Sequence, residues 1–154
     1  MAKCRIEYPE SFGVSLEKIG ANINQVCDEA LKAGGEVAEN IVRSNLEAAI
    51  GNAKTESRST GELVESLGVS PVKTDKNGII NVKVGFSEPR RKQSSPKGKR
   101  SYYEATNAMI ANVLEYGKHG QPARPFMAKS KRQAKRPVEE TMSNVIDREL
   151  KKYT

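Results

Sequence analysis

The feature that most constrains this chain is a run of apolar positions from residue 15 to residue 50. Leu16, Ile19, Ile23, Val26, Cys27, Ala30, Leu31, Val37, Ala38, Ile41, Val42, Leu46, Ala49 and Ile50 recur at three- and four-residue intervals. That spacing is the signature of one long amphipathic helix. Ser15 is a suitable N-cap with Glu17 in the first turn, and Gly51 a natural stop. Gly34-Gly35 interrupts the stripe, and each glycine costs about 1 kcal/mol relative to alanine in a helix interior, so the sequence predicts a bend or break there. A helix this long is hard to bury within a 154-residue chain. One side of it is therefore expected to meet another subunit.

Length places the chain in the range of one domain. With 36% hydrophobic residues, 5% aromatics and no Trp, the core should be small and mainly aliphatic. The net charge of +7 is unevenly placed: residues 1–86 hold 10 basic and 12 acidic side chains, residues 87–104 hold 6 and 2, and residues 105–154 hold 10 and 5. The positive field thus belongs to the C-terminal half, where it favours an anionic partner, a nucleic acid or an acidic protein face. Cys4 and Cys27 lack the spacing of a metal site or disulfide framework, which predicts reduced thiols in a cytoplasmic protein. No apolar run reaches the roughly 20 residues of a membrane span, and the N-terminus lacks the layout of a signal peptide. The expected organisation is a leader over 1–14, one domain over 15–150 and a short tail over 151–154.

After a polar stretch at 53–59, Ser59-Thr60-Gly61-Glu62 reads as a capping box that opens a short helix through Leu63, Val64 and Leu67. A β-hairpin follows. Val69, Pro71 and Val72 lead into Asp75-Lys76-Asn77-Gly78, whose Asn-Gly pair suits the positive backbone angles of a tight turn. On the return strand Ile80, Val82, Val84 and Phe86 alternate onto one face. Residues 87–101 hold Pro89, Pro96, Gly98 and six basic side chains with almost nothing to bury, and are expected to form an exposed loop. The segment 102–116 suits a helix or a strand and helix, with Ala105, Ala108, Met109, Ala111, Val113, Leu114 and Tyr116 as candidate buried positions. A last helix is marked by Phe126, Ala134, Val138, Met142, Val145, Ile146, Leu150 and Tyr153, and Pro137 should kink it or begin its second half. The fold class is thus α+β: a long N-terminal helix, a small antiparallel sheet built on a hairpin, and a C-terminal helix.

Catalytic chemistry finds little support. His119 is the only His and lies in a Gly-rich loop, and neither Cys has an adjacent partner. Pro96-Lys97-Gly98-Lys99-Arg100 does not join a strand to a helix, so it is no phosphate-binding loop. Glu139-Glu140 reads as a pair at the positive end of a helix dipole rather than an acid/base couple. No catalytic, cofactor-binding or metal-binding residue is assigned, and the chain is expected not to be an enzyme. Three basic clusters remain: Arg90-Arg91-Lys92, Lys97-Gly98-Lys99-Arg100 beside Tyr102 and Tyr103, and residues 129–136. Such clusters neutralise phosphates with little sequence selectivity. No sequence-reading nucleic-acid motif accompanies them.

Two segments far apart in the chain narrow the reading. They are Thr60-Gly61-Glu62-Leu63-Val64-Glu65-Ser66-Leu67, and Ala111-Asn112-Val113-Leu114-Glu115-Tyr116-Gly117 followed by Pro122-Ala123-Arg124-Pro125-Phe126-Met127. In this order, around a hairpin and between two long helices, they resemble the neck and tail-completion protein family of long-tailed bacteriophages. The family pattern is T-G-x-L-x-x-S before the hairpin, then E-[FY]-G and P-A-x-P-F before the final helix. Thr60, Gly61, Leu63, Ser66, Glu115, Tyr116, Gly117, Pro122, Pro125 and Phe126 carry the match, which spans residues 15–150. Lys118 stands where a Thr commonly follows the Gly, and the basic 87–101 segment is longer than typical.

The resemblance implies a structural virion protein, assembled in the host cytoplasm and then resident in the neck or tail. It would join the tail tube to the head–tail connector as a homo-oligomeric ring around the DNA channel. Its partners would be the connector, the tail terminator or the tail tube, with no membrane. Arg90, Arg91, Lys92, Lys97, Lys99 and Arg100 would then offer non-specific contacts to the DNA backbone. The alternative is a nucleic-acid-binding accessory protein that uses its basic C-terminal half. Within the turn itself, Gly117 should allow a sharp reversal after Tyr116, and Pro122 and Pro125 should stiffen the approach to the helix. Phe126 should anchor that helix in the core, and Glu115 is expected to pair with Arg124 across the loop.

Overall fold

The computed structural model describes residues 10–51, 61–87 and 106–152, the first ten of these for the backbone only. Helix α1 (Glu10–Gly51) is continuous over 42 residues, a length of about 63 Å at 1.5 Å per residue. It begins before Ser15, which lies inside it, and it ends at the expected Gly51. A short helix α2 (Glu62–Glu65) leads into four brief strands, β1 (Leu67–Val69), β2 (Lys73–Thr74), β3 (Ile80–Asn81) and β4 (Val84–Phe86). Helices α3 (Asn107–Tyr116) and α4 (Met127–Leu150) complete the α+β architecture.

Gly34 and Gly35 do not break α1; they admit neighbours. A Cβ on Gly34 would stand 2.8 Å from Met142 Cγ on α4, and one on Gly35 would stand 2.9 Å from Val69 Cγ1 on β1. The helix therefore carries this glycine pair where α4 and the sheet come too close for a side chain. Antiparallel packing of α1 on α4 is marked along its length by three pairs. Asn45 meets Ser130, Gly34 meets Met142, and Glu29 faces Arg148 at 4.0 Å. Helix α4 ends two residues beyond Arg148. The part of α1 that precedes Val26 consequently runs on past it, and Ile23 there is 44% exposed.

Residues 67–86 form a hairpin in two pieces. Leu67, Gly68 and Val69 pair with Phe86, Gly85 and Val84, whereas Lys73 and Thr74 pair with Asn81 and Ile80. Between the pieces Ser70 replaces the ladder: its N–H donates to the Lys83 carbonyl at 2.7 Å and its hydroxyl accepts from Lys83 N–H at 2.9 Å. The expected unbroken return strand is thus interrupted at Val82 and Lys83, with Pro71 opposite unable to donate. At the tip only Gly78 takes a positive φ, of 79°. Asn77 does not: the Asp75 carboxylate accepts from Asn77 N–H and Ile79 N–H, and the Asp75 backbone closes the turn by donating to the Ile79 carbonyl and accepting from Gly78 N–H.

One apolar core joins α1, α2, β1, α3 and the start of α4: Val42 and Leu46 of α1, Leu63 of α2, Leu67 of β1, Ala111 and Leu114 of α3, and Phe126. Phe86 meets Phe126 edge-on, with ring centroids 6.2 Å apart, a geometry that adds about 0.5–1.5 kcal/mol beyond area burial. Segment 106–116 is a helix capped by Thr106, whose Oγ1 accepts from Met109 N–H. Its buried face is Asn107, Ala111, Leu114 and Glu115. Ala108, Met109 and Tyr116, expected inside, are exposed: Met109 and Tyr116 fall on the side of α3 away from Ala111 and Leu114, and Ala108 lies at the open edge of the buried face, while Ala105 lies outside the described residues.

Helix α4 starts at Met127 and passes through Pro137 without a second start. Contacts with α1 hold it on both sides of the proline: Asn45 bonds Ser130 and Gln133 before it, and Gly34 packs on Val138 and Met142 after it. Glu139 and Glu140 lie deep within α4, not at a helix start, and Glu140 accepts from Arg136 at 2.7 Å in an exposed i, i+4 pair. Tyr153 lies outside the described residues.

Candidate functional site

The turn between α3 and α4 is built on Gly117, whose φ of 75° belongs to the left-handed region. Space is as restrictive as the angle. A Cβ there would stand 2.8 Å from both Ala123 N and Gln121 O. Its own N–H closes α3 on the Val113 carbonyl at 2.8 Å. Lys118 and Gln121 then exchange backbone hydrogen bonds of 3.0 and 2.8 Å around His119 and Gly120. Arg124 N–H donates to the Leu114 carbonyl at 2.8 Å, so the returning chain lies against the end of the helix it just left.

This geometry sets Glu115 under the first turn of α4. The N-cap of α4 is Phe126, which has no side-chain oxygen and is buried in the core at 1% exposure. The capping oxygens come instead from α3. Glu115 Oε2 accepts from Phe126 N–H and Met127 N–H, each at 2.8 Å, and Oε1 accepts from Ala128 N–H at 3.0 Å. Three of the four N–H groups that a helix start leaves without partners are satisfied by one carboxylate, whose charge also suits the positive end of the dipole. The expected Glu115–Arg124 pair does not form. A carboxylate that is only 8% exposed is closer to the buried N–H groups, while Arg124 Nη1 reaches the Ala49 carbonyl at 3.2 Å in the last turn of α1.

The earlier segment is anchored from α1 in the same manner. Gly61, at φ 80°, is the N-cap of α2, so the helix starts later than a Ser59 capping box requires. Leu63 is buried in the core, and Ser66 Oγ donates back to the Leu63 carbonyl at 2.9 Å. Arg43 donates to the carbonyls of Val64 and Leu67, at 3.0 and 3.2 Å, and is steadied by Glu39. Leu63, Leu114 and Phe126 thus meet in one core although their segments lie far apart in sequence. Thr60 lies outside the described residues, as do Arg90, Arg91, Lys92, Lys97, Lys99 and Arg100. Pro122 and Pro125 are exposed on the turn. Tyr116 is 77% exposed and presents its ring outward, so it serves no core function.

Two buried polar sites were missed by sequence reasoning. Asn45 Nδ2 donates to Ser130 Oγ at 2.9 Å and to Gln133 Oε1 at 2.7 Å, and Ser130 Oγ donates to the Phe126 carbonyl at 2.7 Å. This network fixes the register of α1 on the start of α4. Its trace in the sequence is Ser130 itself, one turn from Phe126 and one from Ala134, a polar residue on an apolar stripe. The second is Glu149, 3% exposed. The Lys152 ammonium, donating at 2.6 Å, with Arg148 adding to it, holds the Glu149 carboxyl below its ordinary range against the opposing effect of burial.

Among the described residues no group of three His, Cys, Asp or Glu side chains could hold a metal ion. Cys27 is a free, half-buried thiol on α1, and His119 is exposed at the tip of the turn. No described helix is long and apolar enough to cross a membrane. Comparison with protein-family models, curated proteins and solved structures finds no match to this chain.

Proposed function

We propose that the chain is a structural subunit of the phage neck or tail that joins the tail tube to the head–tail connector, and that it acts without catalysis. The observation that carries the reading is the seat of Glu115. It turns E-Y-G and P-A-x-P-F, the two halves of the later segment of the resemblance, into one device that ends α3, reverses the chain and starts α4. The T-G-x-L segment packs on the same core through Leu63.

Support for a ring comes from α1. Its N-terminal part extends beyond α4, and such a helix gains burial from a neighbouring subunit. Repeated head-to-tail contacts close when the rotation permits. In this reading the subunit assembles in the host cytoplasm, and its neighbours are the connector, the tail terminator or the tail tube. The 87–101 cations meet channel DNA through its backbone. Negative-stain microscopy and light scattering of the purified chain, alone and mixed with the connector from the same genome, test the assembly: rings in either preparation support it. A chain that remains monomeric and unbound in both contradicts it.

A further inference from the structure

The first ten residues of α4, Met127–Arg136, hold five cations and no anion. Their placement opposes helix stability. Cations lie at the positive end of the dipole, and Arg132–Arg136 and Lys131–Lys135 are like-charged i, i+4 pairs. Arg136 is held by Glu140, but Lys129, Lys131, Arg132 and Lys135 are exposed and have no ion-pair partner among the described residues. No described residue accounts for them.

Beside them lies a groove of about 390 Å³ between α3 and the start of α4. Its floor is apolar, from Phe86, Ala111, Phe126 and Met127; the exposed ring of Tyr116 forms one wall and Lys131 stands at the rim. Lys135 follows Lys131 one turn along the same side of the helix. Glu115 also lines the groove, yet both its oxygens are engaged by the N–H groups of α4, so it presents little free negative charge to an occupant.

We propose that this groove docks an acidic segment of another protein, with an aliphatic or aromatic side chain seated on Phe86, Phe126 and Met127 and its carboxylates against Lys131 and Lys135. Charge complementarity sets the sign of the partner, and the apolar floor sets its class. A nucleic-acid backbone would use the cations and leave the floor empty, whereas an amphipathic acidic peptide uses both. The proposal stands on the groove and does not depend on the neck reading.

Fluorescence polarisation of the full chain tests it with three labelled probes. These are a short Asp/Glu peptide carrying Leu and Phe one helical turn apart, the same peptide with both replaced by Ser, and a single-stranded oligonucleotide of equal charge. The Leu/Phe peptide should bind at least about tenfold more tightly than either control, and Lys131→Glu with Lys135→Glu should weaken it by about tenfold or more. Ala108→Trp, which fills the groove from an exposed position, should weaken the same peptide while the thermal midpoint stays within about 2 °C of the parent. Equal or tighter binding of the Ser peptide or the oligonucleotide would show a surface that reads charge alone. That result, no binding of the Leu/Phe peptide, or binding indifferent to these substitutions would overturn the proposal.

Discussion

Replacing Glu115 isolates the contribution of a single carboxylate to the joining of two helices. In Glu115→Ala, the N–H groups of Phe126, Met127 and Ala128 lose acceptors at 2.8, 2.8 and 3.0 Å. Phe126 N–H is buried and cannot recover a partner from solvent, whereas the other two are part-buried. Loss of an N-cap alone costs about 0.5–2 kcal/mol, and a buried donor left unsatisfied costs about 1–3 kcal/mol. The overlap of these two effects gives an expected loss of about 3 kcal/mol. Glu115→Gln keeps one carbonyl oxygen and the side-chain shape but removes the charge that faces the dipole, so its loss should be about 1 kcal/mol. For a chain of this size these correspond to falls in Tm of about 10 and 4 °C. Urea and thermal unfolding followed by circular dichroism at the helical band measure both. A neutral Glu115→Gln would refute the electrostatic part of the reasoning, and a neutral Glu115→Ala would refute the cap altogether.

Gly117→Ala should be more damaging than its small size suggests, because the left-handed φ and the backbone atoms 2.8 Å away act together; unfolding should show a loss of at least about 2 kcal/mol. Gly35→Ala gains about 1 kcal/mol in helix propensity but presses on Val69, so it should be net destabilising in urea, and Val69→Ala should relieve part of the effect in a double-mutant cycle. Glu149 has a lowered folded pKa, so it binds its proton less readily in the folded state than in the unfolded one. Its stabilising contribution is complete above the ordinary value of 4.5 and disappears as pH falls through the lower folded value. The stability difference between parent and Glu149→Gln should therefore hold at neutral pH and vanish in acid; a difference independent of pH would contradict the assignment.

What was legible in the sequence was local. Apolar spacing gave α1 and α4 as helices, with the end of α1 at Gly51 but not its start before Ser15, and the hairpin but not its break at Val82 and Lys83, since period is written along the chain itself. Gly117, Pro122 and Pro125 announced the turn because Gly widens and Pro narrows the backbone angles open to its own position. Contacts between distant segments were less accessible. Gly34-Gly35 has the same local signature whether it bends a helix or admits a neighbour, and only the approach of Met142 and Val69 decides. Glu115 could have met Arg124 or the start of α4; sequence shows that an acid is present and not which donors surround it. Pro137 looked like a boundary because its missing N–H is a local fact, whereas the packing of α1 that carries α4 past it is not. The groove beside Lys131 was invisible for the same reason: its lining comes from β4, α3 and α4.

The neck assignment is tested most directly by a nonsense mutation in the gene for this chain within the genome that encodes it, followed by electron microscopy of the particles released on induction. DNA-filled heads and complete tails should remain unjoined, with joined particles restored when the chain is supplied from a plasmid. Normal numbers of joined, DNA-retaining particles in its absence would contradict it.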